Sequence, residues 1–340
     1  MRKILTISLA LILVLSAVLL AESDKKLGTA GAQALRIPVG SRGTSMGGTV
    51  VANSYGVDAL YWNPAGAAMQ QGTEVMLSHL DYFADMDVEY AAITTNIEGF
   101  GTLGASVKVL SVGDILKTSW DDEQGDAGEY FNPSVSVIGL SYARQFTDRV
   151  SFGFTAAFIN QKVDLATAKG VVFDFGFGYN PQWQGLRFGV VIKNLGPSMR
   201  FDGPGFQFNV IPDDNDPNSA AKTVRKQSTN FELPSSIQLG AAWDLLNTNE
   251  LHSMEVTGLF QANNFSNDEF KGGVEYAYND IFFLRGGYIA SQQDNYIYGA
   301  SLGAGLKVSL GETSNIAFDY SWVDNEFFDA HSYFTVKFAF

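Results

Sequence analysis

Apolar and polar residues alternate with a period of two along most of the chain, and the end of the chain shows the pattern most clearly. The apolar face of this last stretch carries Phe334, Val336, Phe338 and Phe340. The opposite face, which includes Thr335 and Lys337, is polar or small. An apolar row opposite a polar row is typical of an outer-membrane strand, although an end strand of a soluble sandwich can look the same. We interpret the four apolar residues as a lipid-facing row and a C-terminal barrel-assembly signal.

The same alternation recurs from Thr73 onward, for example between Val150 and Phe158. Each segment has about ten residues, the length of a tilted membrane strand. Charges occupy the inward rows, and a sandwich core would not tolerate them unpaired. These inward charges are Asp174, Arg187, Lys193, Lys307 and Asp319. The segments number about fourteen: 73–82, 87–97, 101–112, 132–145, 149–161, 170–180, 185–194, 236–245, 251–262, 269–279, 281–290, 297–310, 314–323 and 331–340.

The connections between these segments differ in length according to their position in the series. Connections after even-numbered segments are short, whereas those after odd-numbered segments are mostly longer, above all 113–131 and 195–235. Short periplasmic turns and longer external loops are the rule in outer-membrane barrels. The sequence therefore predicts an all-β fold, a closed antiparallel transmembrane barrel over residues 73–340.

Composition and charge narrow the possible partners. The formal net charge of -14 is unfavourable for nucleic-acid binding. The absence of Cys excludes disulfides, thiolate metal sites, cysteine nucleophiles and a lipid-modified cysteine. Residues 1–21 combine Arg2 and Lys3 with an apolar run, which predicts a cleaved signal peptide; an uncleaved membrane anchor is the alternative. The expected location is the cell outer membrane of a Gram-negative-type bacterium.

Residues 22–72 lack the alternation and are rich in Gly and other small residues. A phosphate loop fits poorly because no Gly-Lys-Ser/Thr follows, so we predict a hatch packed in the barrel lumen. Asn63-Pro64 should fix a turn within the hatch. We expect Arg36 and Arg42 to pair with acidic barrel residues such as Asp174 or Glu275. The hatch motif consists of Tyr61, Trp62, Asn63, Pro64, Ala65 and Gly66.

This motif and other stretches resemble the long-chain fatty-acid transporter (FadL) superfamily of outer-membrane barrels, and within it the PorV/PorQ branch. The other stretches are 28–32, 38–42, 46–48, 193–197 and 233–236. The resemblance covers the chain after the signal peptide and implies a fourteen-stranded barrel with an N-terminal hatch. It implies two possible functions. FadL-like members pass hydrophobic molecules through the lumen toward a lateral opening, whereas PorV-like members receive the C-terminal signal domains of proteins exported by type IX secretion.

Catalysis is not expected. The three His, His79, His252 and His331, each stand next to a Ser, so the two side chains point to opposite faces of a strand. Acidic stretches at 121–123 and 213–216 lack the spacing of a calcium loop and are interpreted as solvated external loops. We expect no metal and no cofactor.

The choice between the two functions depends on the lumen and the loops. The sequence shows inward Gly and Ala but no inward row of large apolar residues, which disfavours a ligand pocket. Aromatic residues in the long loops could form a partner surface, although a lid over a pore would look the same. These aromatics are Trp120, Tyr130, Phe131, Phe201, Phe206 and Phe208. The sequence therefore favours the handling of exported proteins, with passive transport of fatty-acid-like solutes as the alternative and a purely structural barrel as a third.

The expected partners follow from these functions. Outer-membrane lipid and the barrel-assembly machinery would contact the barrel. Type IX secretion components and cargo C-terminal domains, or else a fatty-acid-like ligand, would be the functional partners.

Overall fold

A computed structural model describes residues 28–118, 121–210, 221–249, 251–291, 297–311 and 313–340. The predicted signal peptide at 1–21, the acidic stretch at 213–216 and Trp120 lie outside these residues. Within the described part of the chain, none of the helices combines the length and the hydrophobicity that crossing a membrane requires.

Fourteen long antiparallel strands form one sheet that closes on itself. The strands are β1 (Thr73–Asp81), β2 (Asp87–Ile97), β3 (Gly101–Ser111), β4 (Ser134–Gln145), β5 (Val150–Val163), β6 (Ala166–Tyr179), β7 (Leu186–Leu195), β8 (Ser236–Asn249), β9 (His252–Asn263), β10 (Glu269–Tyr278), β11 (Phe282–Ser291), β12 (Tyr298–Ser309), β13 (Asn315–Asn325) and β14 (His331–Ala339). Closure occurs between β1 and β14, where Thr73 N donates to Phe340 O at 2.8 Å. The predicted closed fourteen-stranded barrel is confirmed.

Most predicted strand bounds agree with the structure to within about two residues, but β8 ends four residues later than predicted, and β6 begins four residues earlier, next to the end of β5. Val163 pairs with Ala166, so the two strands continue to a turn formed by Asp164 and Leu165. Asp164 adopts a positive φ of 49°, which Asp tolerates better than most residues. This tight reversal replaces the longer connection that the sequence suggested.

The outward face of the barrel is apolar, as expected for strands that contact lipid. On β14, Phe334 and Phe340 are 52% and 61% exposed, while Tyr333 on the inward face is 2% exposed. Leu140 and Leu284 continue this exposed apolar surface on β4 and β11. The end of the barrel that carries the longer loops is termed the external end, and the other the periplasmic end.

The two long external loops contain short strands of their own. The loop before β4 forms a hairpin between Ile115–Leu116 and Tyr130–Phe131. In the loop before β8, Phe201–Asp202 adds to the edge of β6, and Gln207–Val210 pairs with Lys222–Arg225 after a 3₁₀ turn at Pro204–Phe206.

Residues 28–72 pack inside the barrel as a chain of short helical turns, termed the hatch. Glycines with positive φ, among them Gly40 at 82° and Gly48 at 76°, interrupt regular structure and keep each turn short. The α-helical turns are α1 (Ser41–Ser45) and α2 (Ala59–Trp62), and the 3₁₀ turns are Gln33–Arg36, Val50–Ala52, Gly56–Asp58 and Pro64–Met69.

Candidate functional site in the barrel lumen

The hatch follows the inner wall of the barrel and lies directly on glycines that face the lumen. A Cβ atom at Gly287 would overlap the backbone of Met46 and Gly47, and one at Gly153 would overlap the backbone of Pro64 and Ala65. Close backbone approach therefore requires Gly on the wall. The wall glycines at which a Cβ would meet backbone or side-chain atoms of the hatch, termed the glycine belt, are Gly104, Gly153, Gly176, Gly189, Gly240, Gly273, Gly287 and Gly303.

The Asn-Pro motif holds the last part of the hatch against β5 and β6. Asn63 Oδ1 accepts a hydrogen bond from Ala65 N at 3.1 Å and caps the 3₁₀ turn that begins at Pro64. Asn63 Nδ2 donates to Val51 O at 2.7 Å and to Phe177 O at 3.3 Å. The motif is thus a packing device that links two parts of the hatch to the barrel wall.

The aromatic pair that precedes Asn63 is the centre of the hatch. Tyr61 and Trp62 meet edge to face, with ring centroids 5.0 Å apart. Trp62 packs on the backbone of Gly43 and Gly48: a Cβ at Gly43 would overlap its ring, and one at Gly48 would crowd it. A Cβ at Gly66 would likewise overlap the carbonyl of Ser54. Tyr61, Trp62 and Gly66 therefore serve hatch packing in this structure.

Arg42 links the hatch to the periplasmic half of the barrel. Its guanidinium donates to Glu275 on β10 at 2.9 and 3.0 Å and to Asn53 O at 3.0 Å. Glu255 on β9 lies 3.9 Å away and is also paired with Arg187. Two parallel hydrogen bonds between guanidinium and carboxylate fix orientation as well as charge.

A second chain of charges continues this arrangement across the lumen. Asp58 of the hatch accepts from Lys337 on β14 at 2.7 Å. Lys337 also lies 3.3 Å from Asp319 on β13, and Asp319 accepts from Arg285 at 2.6 Å. Because Arg285 also pairs with Glu275, the contacts of Arg42 and Asp58 form one connected set, termed the lumen ion network.

The prediction that Arg36 and Arg42 pair with barrel acids is right for Arg42 with Glu275 and wrong for Arg36. Arg36 Nη1 donates to Gln33 Oε1 at 3.1 Å, and its guanidinium lies 4.2 Å from the ring centroid of Phe265. The candidate acid Asp174 accepts instead from the backbone N of Asn194 at 2.7 Å. Arg36 sits nearer the external end, on an aromatic surface away from these carboxylates.

Two buried lysines bind the main chain of the hatch. Lys108 on β3 donates to Ile37 O at 2.9 Å, and Lys193 on β7 donates to Tyr61 O at 2.7 Å. The ammonium of Lys193 also lies 3.6 Å from the ring centroid of Tyr61. Burial, followed by the nearby carboxylate of Asp174, raises the pKa of Tyr61 above its ordinary value. Sequence reasoning missed Lys108, although its inward position within 101–112 was available.

The external half of the lumen is apolar on the side formed by β1 to β6, β13 and β14. Leu35 and Ile37 of the hatch pack there against inward residues of the wall. The expectation of no inward row of large apolar residues is therefore wrong. The apolar wall, termed the external apolar cluster, contains Leu80, Val88, Val135, Ile159, Val172, Met199, Leu233, Val323 and Tyr333.

The predicted loop aromatics do not form one surface. Tyr130 and Phe208 are 62% and 50% exposed, on separate hairpins. Phe131 and Phe206 are half-buried. Phe201 turns inward, packs against Phe231 with ring centroids 5.6 Å apart, and touches the external apolar cluster, because it continues the inward row of β6.

In the described residues the three His bond a carboxylate, a phenol and an amide. His79 Nδ1 lies 2.6 Å from Glu89, His252 Nδ1 lies 2.7 Å from the Tyr276 hydroxyl, and His331 bonds Asn325. None of these partners is a Ser or Thr hydroxyl. Across the same residues, no group of three or more His, Asp or Glu is placed to hold a metal ion.

The hatch leaves little space beside it at the periplasmic end. A cavity of about 30 Å³ lies between the hatch and β5 to β7, lined in part by Tyr55, Arg187 and Phe188. This volume suits a single water molecule.

No family model matches the sequence, and no curated protein is similar to it at a significant level. Solved structures do share the fold. The Pseudomonas putida toluene transporter TodX matches with a TM-score of 0.53 and 14% identity, over 87% of this chain and 96% of that chain. A Pseudomonas aeruginosa FadL homologue matches with a TM-score of 0.51 and 12% identity, over 89% and 98%. At these identities the likeness shows a FadL-like barrel fold.

Proposed function

We propose that this chain is a passive transporter of hydrophobic solutes through the outer membrane. The observation that carries the proposal is the external apolar cluster. Porin-type lumens are lined by polar residues because they conduct water, whereas this lumen offers an apolar surface on its external side. Leu35 and Ile37 occupy that surface, so a solute of similar hydrophobicity could replace them there.

Charged residues of the lumen lie between the external apolar cluster and the periplasmic end. The lumen ion network crosses the periplasmic half, where Arg42 and Asp58 hold the hatch to three strands of the wall, β9, β10 and β14. Lys108 and Lys193 hold the hatch main chain between these two levels. Passage therefore requires a shift of the hatch that breaks some of these bonds while the solute supplies apolar contacts in exchange.

The named structural neighbours agree with this function. One is described as a toluene transporter and another as a FadL homologue, and both share the barrel fold along nearly their full length. The proposal also places the chain in the outer membrane after signal-peptide removal, with barrel-assembly machinery and membrane lipid as its contacts. Phe334, Val336, Phe338 and Phe340 would serve as the assembly signal.

A reversible crosslink of the hatch tests the proposal. Ser41 Oγ of the hatch lies 2.8 Å from Thr335 Oγ1 on β14, and the chain has no native Cys. In Ser41→Cys/Thr335→Cys, oxidation should therefore tie the hatch to the wall through a single disulfide. We expect cells that express this variant to lose uptake of radiolabelled toluene and oleate on oxidation and to regain it on reduction.

The matched controls are the two single-Cys variants, whose uptake should not respond to oxidant. Gel mobility with and without reductant reports whether the crosslink has formed. Uptake in cells with the native chain no faster than in cells without it would contradict the transport function. Uptake that continues through the fully crosslinked barrel would contradict hatch movement as its mechanism.

The handling of exported proteins, as in the PorV/PorQ branch, is a second candidate. Exposed apolar side chains on the external hairpins favour it, notably Tyr130, Phe208 and Val224. Purification of the native protein in mild detergent, followed by native mass spectrometry, separates the candidates. A bound C-terminal signal domain or type IX secretion component would favour protein handling, whereas a stoichiometric apolar ligand without a protein partner favours transport.

A further inference from the structure

Three cations face outward at the external end of β5 and β6. Lys162 ends the outward row of β5, Lys169 lies in the outward row of β6, and Arg200 precedes the strand residue Phe201. All three are exposed. Their inward neighbours Ile159 and Ala168 are fully buried, which fixes the opposite face as the lipid side.

The strand register brings the three cations together. Lys162 pairs with Thr167, and Lys169 pairs with Asn160, so the two lysines are diagonal neighbours on one face. Phe201 pairs with Ala168 in antiparallel register, so the preceding residue, Arg200, lies opposite Lys169. Diagonal neighbours on a sheet lie about 7–8 Å apart, which two phosphate oxygens of one headgroup can bridge.

No carboxylate in the described part of the chain pairs with this group. Two acids close to the cations along the chain have cations of their own: Asp164 lies 3.3 Å from Lys117, and Asp202 pairs with Arg225. Among the described residues, the three cations make no salt bridge. Like charges placed together cost free energy, so an anion bound between them would be stabilising.

The position of the three cations along the barrel axis indicates which kind of anion they would bind. Phe158 and Val171, 44% and 42% exposed, belong to the same outward rows one or two positions closer to the barrel centre. The cations thus begin where the apolar lipid-facing surface ends, at the level of outer-leaflet headgroups. Lys and Arg at this level bind phosphate through charge and hydrogen bonds.

We propose that Lys162, Lys169 and Arg200 bind the phosphate groups of a phosphorylated glycolipid in the outer leaflet. The acyl chains of that lipid lie along the apolar outward rows of β5 and β6. The inference rests on the membrane placement in the proposed function and is independent of the solute that the lumen carries.

The experiment uses the full-length mature protein in neutral phosphatidylcholine nanodiscs. The probe is bisphosphorylated lipid A, compared with the same lipid after removal of both phosphates, and binding is measured by native mass spectrometry. We expect the native protein to prefer the phosphorylated lipid. Lys169→Gln/Arg200→Gln should lower its affinity for phosphorylated lipid A about tenfold. Each Lys or Arg near an anionic membrane surface raises binding affinity severalfold, and the variant removes two of them.

The matched control is Arg144→Gln/Arg149→Gln, which removes two exposed cations at the periplasmic end and should leave lipid A binding unchanged. Heat-dependent gel mobility verifies that each barrel is folded. If a double variant does not fold, its two single variants are measured in its place. Equal binding of the two lipids, an equal loss in the control, or preferential binding of polyglutamate over lipid A would each overturn the proposal. Toluene uptake measured on the same variants distinguishes this failure from a failure of transport.

Discussion

At the scale of single residues, the hatch depends on what the barrel wall lacks. The glycine belt leaves no wall side chain between strand and hatch, so that hatch atoms pack directly on the strand backbone. Dense packing of this kind tolerates no added methyl group unless a neighbour can move. The wall glycines are therefore required for hatch packing, as the charged partners of the hatch are.

Gly153→Ala tests this packing. The new Cβ would overlap the Pro64 carbonyl carbon and Ala65 N, both main-chain atoms held by the Asn63 cap. We expect a loss of about 1–3 kcal/mol in the free energy of unfolding, measured by urea titration in detergent micelles. Gly258→Ala is the matched control because nothing lies within 4 Å of its Cβ position. Equal stabilities for the two variants would contradict the packing role.

At the scale of elements, the external loop before β4 contains a turn held by one carboxylate. Asp122 accepts hydrogen bonds from Asp126 N at 2.7 Å and Ala127 N at 3.0 Å. The backbone N–H groups of Ala127 and then Asp126 hold the pKa of Asp122 below its ordinary value. The stabilisation is therefore present above the unfolded carboxyl pKa and is lost as pH falls through the folded value.

We expect this turn to lose order below about pH 4, the ordinary range of an Asp carboxyl. Amide nitrogen and proton NMR shifts of Asp126 and Ala127, followed as pH falls, measure the change. Asp122→Asn should remove the transition, since an amide does not titrate in this range. Shifts that stay constant down to the protonated range in the native chain would show that the carboxylate does not hold the turn.

The strands were predictable from sequence because apolar and small or polar residues alternate within each one, as they do from Val150 to Phe158. The external apolar cluster was not, because β1, β2 and β4 each contribute a single residue to it. The cluster forms only where the fold brings residues of different strands together. The path of the hatch was equally hidden, since its short turns are set by contact with the wall and not by periodicity.

One contact of the site was also predictable from sequence, because buried charges require partners. Arg42 was a natural partner for Glu275 because both had to be buried in one lumen, and buried charges require partners. Arg36 broke that reasoning because an aromatic face, Phe265, supplies its contact instead. Sequence gives the need for a partner but not its chemical type.

At the scale of the whole molecule, the barrel is a filled tube with its hatch held at several levels. The lumen ion network ties the periplasmic half, the lysines tie the middle, and the external apolar cluster covers Leu35 and Ile37. Removal of one partner from a buried ion pair leaves the other charge uncompensated, at a cost on the order of 3 kcal/mol. The network is therefore the point where hatch retention is most sensitive.

Arg42→Ala/Lys337→Gln should make the barrel conduct ions. The native chain in a planar bilayer is expected to show little conductance, because the hatch fills the lumen. The double variant frees Glu275 and Asp58 from their partners and should raise the time spent in conducting states at least several-fold. Arg36→Ala, which removes a cation that makes no ion pair in the described residues, is the control. A double variant as closed as the native chain would show that the network does not retain the hatch.

The two lysine anchors have a consequence for how related chains diverge. Lys108 and Lys193 bind carbonyl groups, which every residue possesses, so their bonds do not depend on which side chains the hatch carries at Ile37 or Tyr61. Mutations can accumulate at those two hatch positions while the anchoring survives, provided that the lysines persist. Distant homologues should therefore be recognised more readily by two inward lysines on the third and seventh strands than by the hatch sequence they hold.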